Sequence, residues 1–211
     1  SPAPSPVFIP LEVWAAWEPV TVFCSEKGWI RTVKGHQADT SDIKYKDGDR
    51  ERFVLRVETT DKLGVLGTNG RFYTLAVDKL PRGRGFGEPL RLMIDLANDA
   101  EVVGLFKHEP GRRLLVAASN GRGFQVDEDE VIAQTRGGKQ IMTVGDGVEA
   151  KFCVPVEGDT VAVIGNNRKL LIFSLEEVPV MARGRGVTLQ KYTDGSLADV
   201  TTFTFAQGLS W

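Results

Sequence analysis

The sequence repeats one short pattern four times. Each copy joins two apolar runs through a tight turn: VTVFCSEKGWIRTV from Val20, LGVLGTNGRFYTLAV from Leu63, LLVAASNGRGFQV from Leu114 and VAVIGNNRKLLIF from Val161. Successive turns are 42, 51 and 47 residues apart. A period of this size is typical of one sheet of about four strands per repeat, not of a helical solenoid. The repeat therefore predicts sheet modules that pack beside one another.

The turn carries glycine in three copies, at Gly28, Gly70 and Gly121, and Arg168 in the fourth. Glycine suits this position because a tight hairpin needs a residue with positive φ. We therefore expect Arg168 to lie in a slightly different turn from the three glycines.

The remaining chain favours an all-β fold. No window of ten or more residues keeps helical apolar spacing, and 23 glycines interrupt every candidate. Period-2 alternation occurs instead at residues 53–57, 71–77 and 187–192. Because one sheet cannot cover both of its faces, the modules should pack around a common centre. We predict a propeller-like domain over residues 12–211, with repeats starting near 20, 63, 114 and 161 and a partial fifth near 200.

Composition sets further limits. With 42% hydrophobic and 26% charged residues, the chain has ordinary globular composition. The longest uncharged stretch, residues 200–211, is far shorter than the roughly 20 apolar residues of a membrane-spanning helix. Residues 1–11 begin with three prolines in six residues and lack the pattern of a secretory signal, so we expect a linker or the edge of a longer fragment. These features predict a water-soluble cytoplasmic domain.

The sequence offers little for catalysis or metal binding. Cys24 and Cys153 are 129 residues apart, and the chain has only two histidines, so the ligands of a structural zinc site are lacking. Both cysteines lie in apolar runs and are expected to be buried free thiols. The Asp47-Gly48-Asp49 segment is typical of a polar turn. We predict no catalytic residue, no metal and no cofactor in this chain.

A basic segment containing glycine follows three of the four hairpins. These segments read RGRG at residues 82–85, RGGK at 136–139 and RGRG at 183–186, whereas the first hairpin is followed only by Lys34-Gly35-His36. Such a segment suits phosphate contact because glycine lets the backbone approach and donate N–H groups while the cation supplies charge. The alternative is a set of solvated turns.

The formal net charge of −2 does not exclude DNA binding if the charges are segregated. The acidic runs at residues 127–130 and 176–177 would then have to point away from the basic segments. The candidate phosphate contacts are Lys34, Arg84, Arg122, Arg136, Lys139, Arg168, Arg183, Arg185 and Lys191.

The rival hypothesis is a protein-interaction platform that docks an acidic regulatory partner, with Trp14, Trp17 and Trp29 as candidate anchors. A glycan-processing propeller enzyme would need convergent carboxylates in a central pocket.

The residues resemble a known family. Residues 18–36, EPVTVFCSEKGWIRTVKGH, are similar to the first repeat of the C-terminal domain of ParC, the larger component of bacterial topoisomerase IV and a relative of the gyrase protein GyrA. Residues 45–49, YKDGD, resemble the segment that follows it, and Leu80-Pro81 with residues 84–90 resembles the tail of the second repeat. The basic segments at 136–139 and 183–186 fall where the third and fourth repeats of the family carry theirs.

The resemblance implies a β-pinwheel of four-stranded antiparallel blades that exchange strands, with about five blades and often an open ring. It implies binding and bending of double-stranded DNA, which steers a transport segment for decatenation and relaxation during chromosome segregation. The cleavage tyrosine, the ATPase and the ATP and Mg sites would lie elsewhere. Partners would be the N-terminal region of the same polypeptide and the ParE protein in a heterotetramer, at the nucleoid or membrane periphery, with the isolated domain monomeric.

One departure separates the chain from gyrase. Gyrase wraps DNA with a QRRGGKG box in its first blade, whereas the nearest pattern here, QTRGGKQ at residues 134–140, lies in the third repeat. The resemblance therefore favours topoisomerase IV and predicts bending without chiral wrapping.

Overall fold

The computed structural model describes residues 2–8, 17–190 and 197–208. Within these residues the secondary structure consists of fifteen β-strands and five short 3-10 helices. The all-β prediction is confirmed. No helix in the described part of the chain has the length and apolar character needed to cross a membrane.

The strands are β1 Pro19–Ser25, β2 Trp29–Lys34, β3 Glu51–Glu58, β4 Lys62–Gly67, β5 Arg71–Ala76, β6 Glu88–Pro89, β7 Val102–Lys107, β8 Arg113–Ala118, β9 Arg122–Asp127, β10 Lys139–Gln140, β11 Ala150–Pro155, β12 Thr160–Gly165, β13 Leu170–Ser174, β14 Val187–Thr188 and β15 Leu197–Phe203. The 3-10 helices are Val77–Lys79, Leu90–Leu92, Glu128–Val131, Leu175–Glu177 and Phe205–Gln207.

The chain divides into two compact units. The first, Ser1–Lys62 with Ala76–Pro89, holds one sheet of strand order β3-β1-β2-β6. The second, Leu63–Leu75 with Leu90–Trp211, holds the sheets β10-β5-β4-β7, β11-β8-β9-β14 and β13-β12-β15. All pairings within these sheets whose register is resolved are antiparallel.

The sheets share one plan. Each has a central hairpin, and the first strand of that hairpin also pairs with a third strand that follows it in sequence. In the first three sheets a two-residue strand from beyond the next hairpin completes the other edge: β6, β10 and β14. These exchanged strands are the feature expected of a pinwheel, although two residues are too few to produce a visible sequence period.

Glycine is required where an exchanged strand begins. Gly138 and Gly186 have φ of 68° and 73°, and each lies directly against a carbonyl oxygen of the hairpin that receives the strand. A Cβ on Gly138 would collide with the Phe72 carbonyl, and one on Gly186 with the Gly123 carbonyl. Part of the glycine content of the basic segments is therefore explained by packing.

The chain from Val200 onward does not open a fifth sheet in the described residues. Leu197–Phe203 instead pairs with β12, with Val200 opposite Val163, and forms the third strand of the fourth sheet. The position corresponds to β3, β7 and β11 in the other sheets. A third strand and the first strand of a hairpin have the same apolar alternation, so the sequence pattern did not separate them. Residues 209–211 lie outside the described residues.

The core of the second unit explains why β8 is a continuous apolar run. Leu114 and Val116 pack in one buried cluster with Phe72 of β5, whereas Leu115 packs in another with Val163 of β12. Successive residues of a strand point to opposite faces. Both faces of β8 are therefore buried, and a polar residue at either set of positions would lie in a core.

The fourth hairpin uses the same turn as the others, contrary to our expectation for Arg168. Arg168 has φ of 65°, compared with 79° at Gly70, and its N–H donates to the Gly165 carbonyl at 3.0 Å. Gly70 donates to Gly67 with the same geometry at 3.0 Å. Arg168 therefore bears the strain of a left-handed backbone.

The acidic run 127–130 is not wholly solvated. Glu128 is fully buried and accepts from the Arg112 guanidinium, with Nε at 2.8 Å and Nη2 at 2.6 Å. The Nδ1 atom of His108 lies 2.8 Å from the second carboxylate oxygen. The pair joins the segment before β8 to the 3-10 helix after β9.

Candidate nucleic-acid interface

We refer to residues 82–85, 136–139 and 183–186 as the first, second and third basic loops. Each leads toward an exchanged strand, and the first and third run beside the second strand of the hairpin that receives it. The N–H of Thr32 donates to the Pro81 carbonyl at 2.8 Å just before the first loop. The N–H of Gln125 donates to the Pro179 carbonyl at 2.9 Å before the third. The fold thus gives these loops corresponding places.

The glycine N–H groups of these loops are largely directed inward. Gly184 donates to the Ile141 carbonyl at 2.9 Å, Gly138 to Thr135 at 3.1 Å and Gly83 to Thr32 at 3.3 Å. These three groups are therefore not free to bind phosphate, contrary to the backbone donation expected from the sequence. Any contact with an anion at these loops depends on side chains.

Four of the predicted contact residues carry unengaged cationic groups. Lys34, Arg84, Arg183 and Arg185 are exposed, and within the described residues their side chains make no hydrogen bond or ion pair. Their charge is available without displacing another group of the protein.

Two other candidates have weak partners. The Nε atom of Arg136 lies 3.4 Å from a carboxylate oxygen of Asp95, and both side chains are more than half exposed. The ammonium of Lys139 donates to the Glu130 carbonyl at 3.1 Å. An exposed ion pair contributes about 0–1 kcal/mol. A polyanion can therefore compete for Arg136.

The remaining three candidates differ from one another. Arg122 donates through Nη2 to the Gly186 carbonyl at 2.5 Å and through Nη1 to Thr188 Oγ1 at 3.4 Å. Its guanidinium is thus engaged with the third basic loop itself. Arg168 is exposed at the tip of the fourth hairpin. Lys191 lies outside the described residues.

The second and third basic loops are connected within the second unit. Gly184 forms a parallel bridge with Met142, three residues beyond Lys139, and the Thr143 N–H donates to the Gly184 carbonyl at 2.9 Å. The third loop thus runs beside the chain that leaves the second. Basic side chains from two successive modules are consequently presented by neighbouring segments.

A cavity of about 370 Å³ lies beside the third basic loop. Arg122, Arg185, Asn120, Thr143 and Asp146 are among its lining residues. The carboxylate of Asp146 would repel an anion that entered it. The exposed outer side chains are therefore better placed for phosphate than the cavity interior.

Sequence reasoning missed the residues that hold the loops. Arg31 donates to the Gly83 carbonyl at 3.2 Å, and Arg71 donates to the Gly137 carbonyl at 2.9 and 2.7 Å. Arg71 and Gly137 are 66 positions apart. Such a pairing depends on which strands are exchanged, and nothing local in the sequence indicates it.

The tryptophans of the rival hypothesis are only partly placed. Trp17 is 52% exposed, and Trp29 is half-buried with the Lys46 ammonium 3.9 Å from its ring centre. Trp14 lies outside the described residues. Among the described residues, no group of three or more His, Cys, Asp or Glu side chains is arranged to hold a metal ion.

Comparison with known families gives a match over most of the chain. The model of the DNA gyrase C-terminal domain, a β-propeller, matches residues 65–109, 112–156 and 159–203. Each matched segment begins within a hairpin or just before it.

Individual relatives agree with this match. The chain is 47% identical over 194 residues to the DNA topoisomerase 4 A subunit of Rickettsia bellii, covering 92% of the chain and 26% of the relative. It is 45% identical over 201 residues to the corresponding protein of Caulobacter vibrioides, covering 95% of the chain and 26% of the relative. The chain thus spans about a quarter of the length of these relatives. The solved E. coli ParC C-terminal domain aligns with a TM-score of 0.79 at 27% identity, covering 87% of this chain and 78% of that one.

Proposed function

Because the chain belongs to the DNA gyrase A C-terminal domain family, in its topoisomerase IV (ParC) branch, we propose that it binds duplex DNA without reading sequence. The observation that carries the proposal is the group of exposed, unengaged arginines in basic loops that occupy corresponding places in successive modules. Contacts made by such side chains are to phosphate, which positions a duplex but carries no sequence information.

The electrostatics suit a non-specific contact. Lys34, Arg84, Arg183 and Arg185 can bind phosphate without losing an internal partner, and Arg136 exchanges a weak surface pair for it. Each phosphate neutralised releases condensed counterions, so affinity should fall steeply as salt rises. Bending a duplex over several modules costs about 1–6 kcal/mol, which a set of phosphate contacts can offset.

In the whole protein, we propose that the domain presents a bent transport segment to a type IIA DNA topoisomerase, for decatenation and supercoil relaxation during chromosome segregation. The strand-cleaving tyrosine would belong to the N-terminal region of the same polypeptide, and the ATPase to the ParE protein. ParC and ParE would together form a heterotetramer in the bacterial cytoplasm. The domain itself would hold no cofactor.

The test compares two variants with the same loss of charge. One carries Arg84→Gln, Arg183→Gln and Arg185→Gln in the basic loops. The other carries Lys62→Gln, Arg50→Gln and Arg113→Gln, which are exposed positions outside the basic loops. Binding to linear duplex is measured over a series of salt concentrations. We expect the loop variant to lower the slope of log K against log salt by about 2.7, from about 0.9 per phosphate contact.

The control variant should keep a slope close to that of the unmodified domain. Equal changes in the two variants would mean that the basic loops are not the interface. Saturable binding to an acidic protein with no binding to DNA at low salt would favour the rival protein-interaction function instead.

A further inference from the structure

Each basic loop accepts hydrogen bonds from an arginine on the hairpin beside it. Arg31 donates to the Gly83 carbonyl of the first loop at 3.2 Å and to the Lys44 carbonyl at 3.5 Å. Arg122 donates to the Gly186 carbonyl of the third loop at 2.5 Å. The donors lie on β2 and β9, which receive the exchanged strands.

The second loop is held most completely. Arg71 donates through Nε and Nη2 to the Gly137 carbonyl at 2.9 and 2.7 Å, and through Nη2 to the Gly138 carbonyl at 3.2 Å. Its Nη1 atom also donates to Oε1 of Gln140 at 3.3 Å. One planar guanidinium thus binds three successive parts of the loop and its exchanged strand, a geometry that a single ammonium cannot reproduce.

Arg71 and Arg122 occupy the same place in the repeat. Each is the residue directly after the turn glycine, and the backbone N–H of each donates at 3.1 Å to the side-chain oxygen of the asparagine two residues earlier. Both side chains are half-buried. Arg31 is only 9% exposed. Their donors point to loop carbonyls, whereas Arg183 and Arg185 remain exposed.

We propose that Arg31, Arg71 and Arg122 are positioning residues, which hold the basic loops in the conformation that binds DNA and do not themselves contact phosphate. The proposal rests on the function proposed above. A loop that is ordered only part of the time lowers the apparent affinity in proportion to its ordered fraction. The number of phosphates neutralised in the complex stays the same.

This difference gives a test with separate readouts. Arg71→Met and Arg122→Met are compared with Arg113→Met, which removes one charge from an exposed pair with Asp127. Duplex affinity is measured over a salt series. Each positioning variant should bind about tenfold more weakly, with an unchanged salt slope. The contact variant Arg183→Gln should instead lower the slope by about 0.9.

The conservative variant separates charge from geometry. Arg71→Lys keeps the cation but loses the planar fork, and we expect it to bind as weakly as Arg71→Met. Full affinity in Arg71→Lys, or a slope lowered by about 0.9 in either methionine variant, would overturn the proposal because both outcomes indicate a direct phosphate contact.

Loop order is measured independently of DNA by limited trypsin digestion. Arg71→Met should speed cleavage after Arg136 but not after Arg183, and Arg122→Met should do the reverse. Unchanged cleavage in both variants would refute the positioning role. If the unmodified domain fails to bind duplex at low salt, the proposed function fails, while the digestion still decides whether these arginines hold the loops.

Discussion

Gly138 and Gly147 form a matched pair that separates backbone strain from packing. Both lie in the second unit, with φ of 68° and 72°. A Cβ on Gly147 would meet nothing within 4 Å, whereas a Cβ on Gly138 would collide with the Phe72 carbonyl and lie 2.8 Å from a ring carbon of Tyr73. Alanine at either site adopts an unfavourable left-handed conformation, but only Gly138→Ala must also displace the backbone of β5.

The magnitudes follow from these contacts. The left-handed conformation costs roughly 1–2 kcal/mol, part of which is offset because alanine restricts the unfolded chain. We therefore expect Gly147→Ala to lower the free energy of unfolding by about 1 kcal/mol. Displacing packed atoms adds roughly 1–3 kcal/mol, so Gly138→Ala should lower it by about 2–4 kcal/mol.

Urea unfolding followed by tryptophan fluorescence measures both variants, with the transition midpoint compared at constant slope. A further kilocalorie of destabilisation corresponds to about 2–4 °C in Tm for a domain of this size. Equal losses of stability in the two variants would refute the reasoning, because the close approach of the exchanged strand would then have no energetic consequence. Gly138 would in that case be explained by backbone conformation alone.

Three further outcomes are expected. Glu128→Gln should lower the free energy of unfolding by about 3 kcal/mol because it breaks a buried ion pair, whereas Asp127→Asn, which loses an exposed pair, should cost less than about 1 kcal/mol in the same urea assay. Burial raises the pKa of the Cys24 and Cys153 thiols to about 12, so both should react with Ellman's reagent at about pH 8 only after unfolding; rapid modification of either thiol in the native domain would contradict this. Arg168→Gly should raise the unfolding free energy by about 0.5 kcal/mol through relief of backbone strain, and a decrease would argue against a strained turn.

The hairpins could be predicted from sequence because their information is local. Alternation in residues such as Phe72 and Leu75, with a glycine such as Gly70 at the turn, specifies a strand, a turn and a strand without reference to the rest of the chain. The basic loops could be located for the same reason, since they follow the hairpins at similar distances.

The details that depend on distant partners were not predictable. β10 has two residues, and its place is set by contacts with Phe72 and Arg71, 67 to 69 positions earlier. Arg71 and Arg122 look like ordinary exposed cations until the loop carbonyls are placed beside them. The burial of Glu128 depends likewise on Arg112 from another strand connection. Each error or omission concerns a polar group whose partner is supplied by tertiary structure.

Strand exchange means that the unit of sequence and the unit of structure do not coincide. Removing one hairpin repeat from the gene would also strip the closing strand from the sheet before it. The neighbouring sheet would then expose the backbone groups of its second strand. Shortened or shuffled versions of the domain should therefore be cut after an exchanged strand such as β10 or β14, where a sheet has received its last residues.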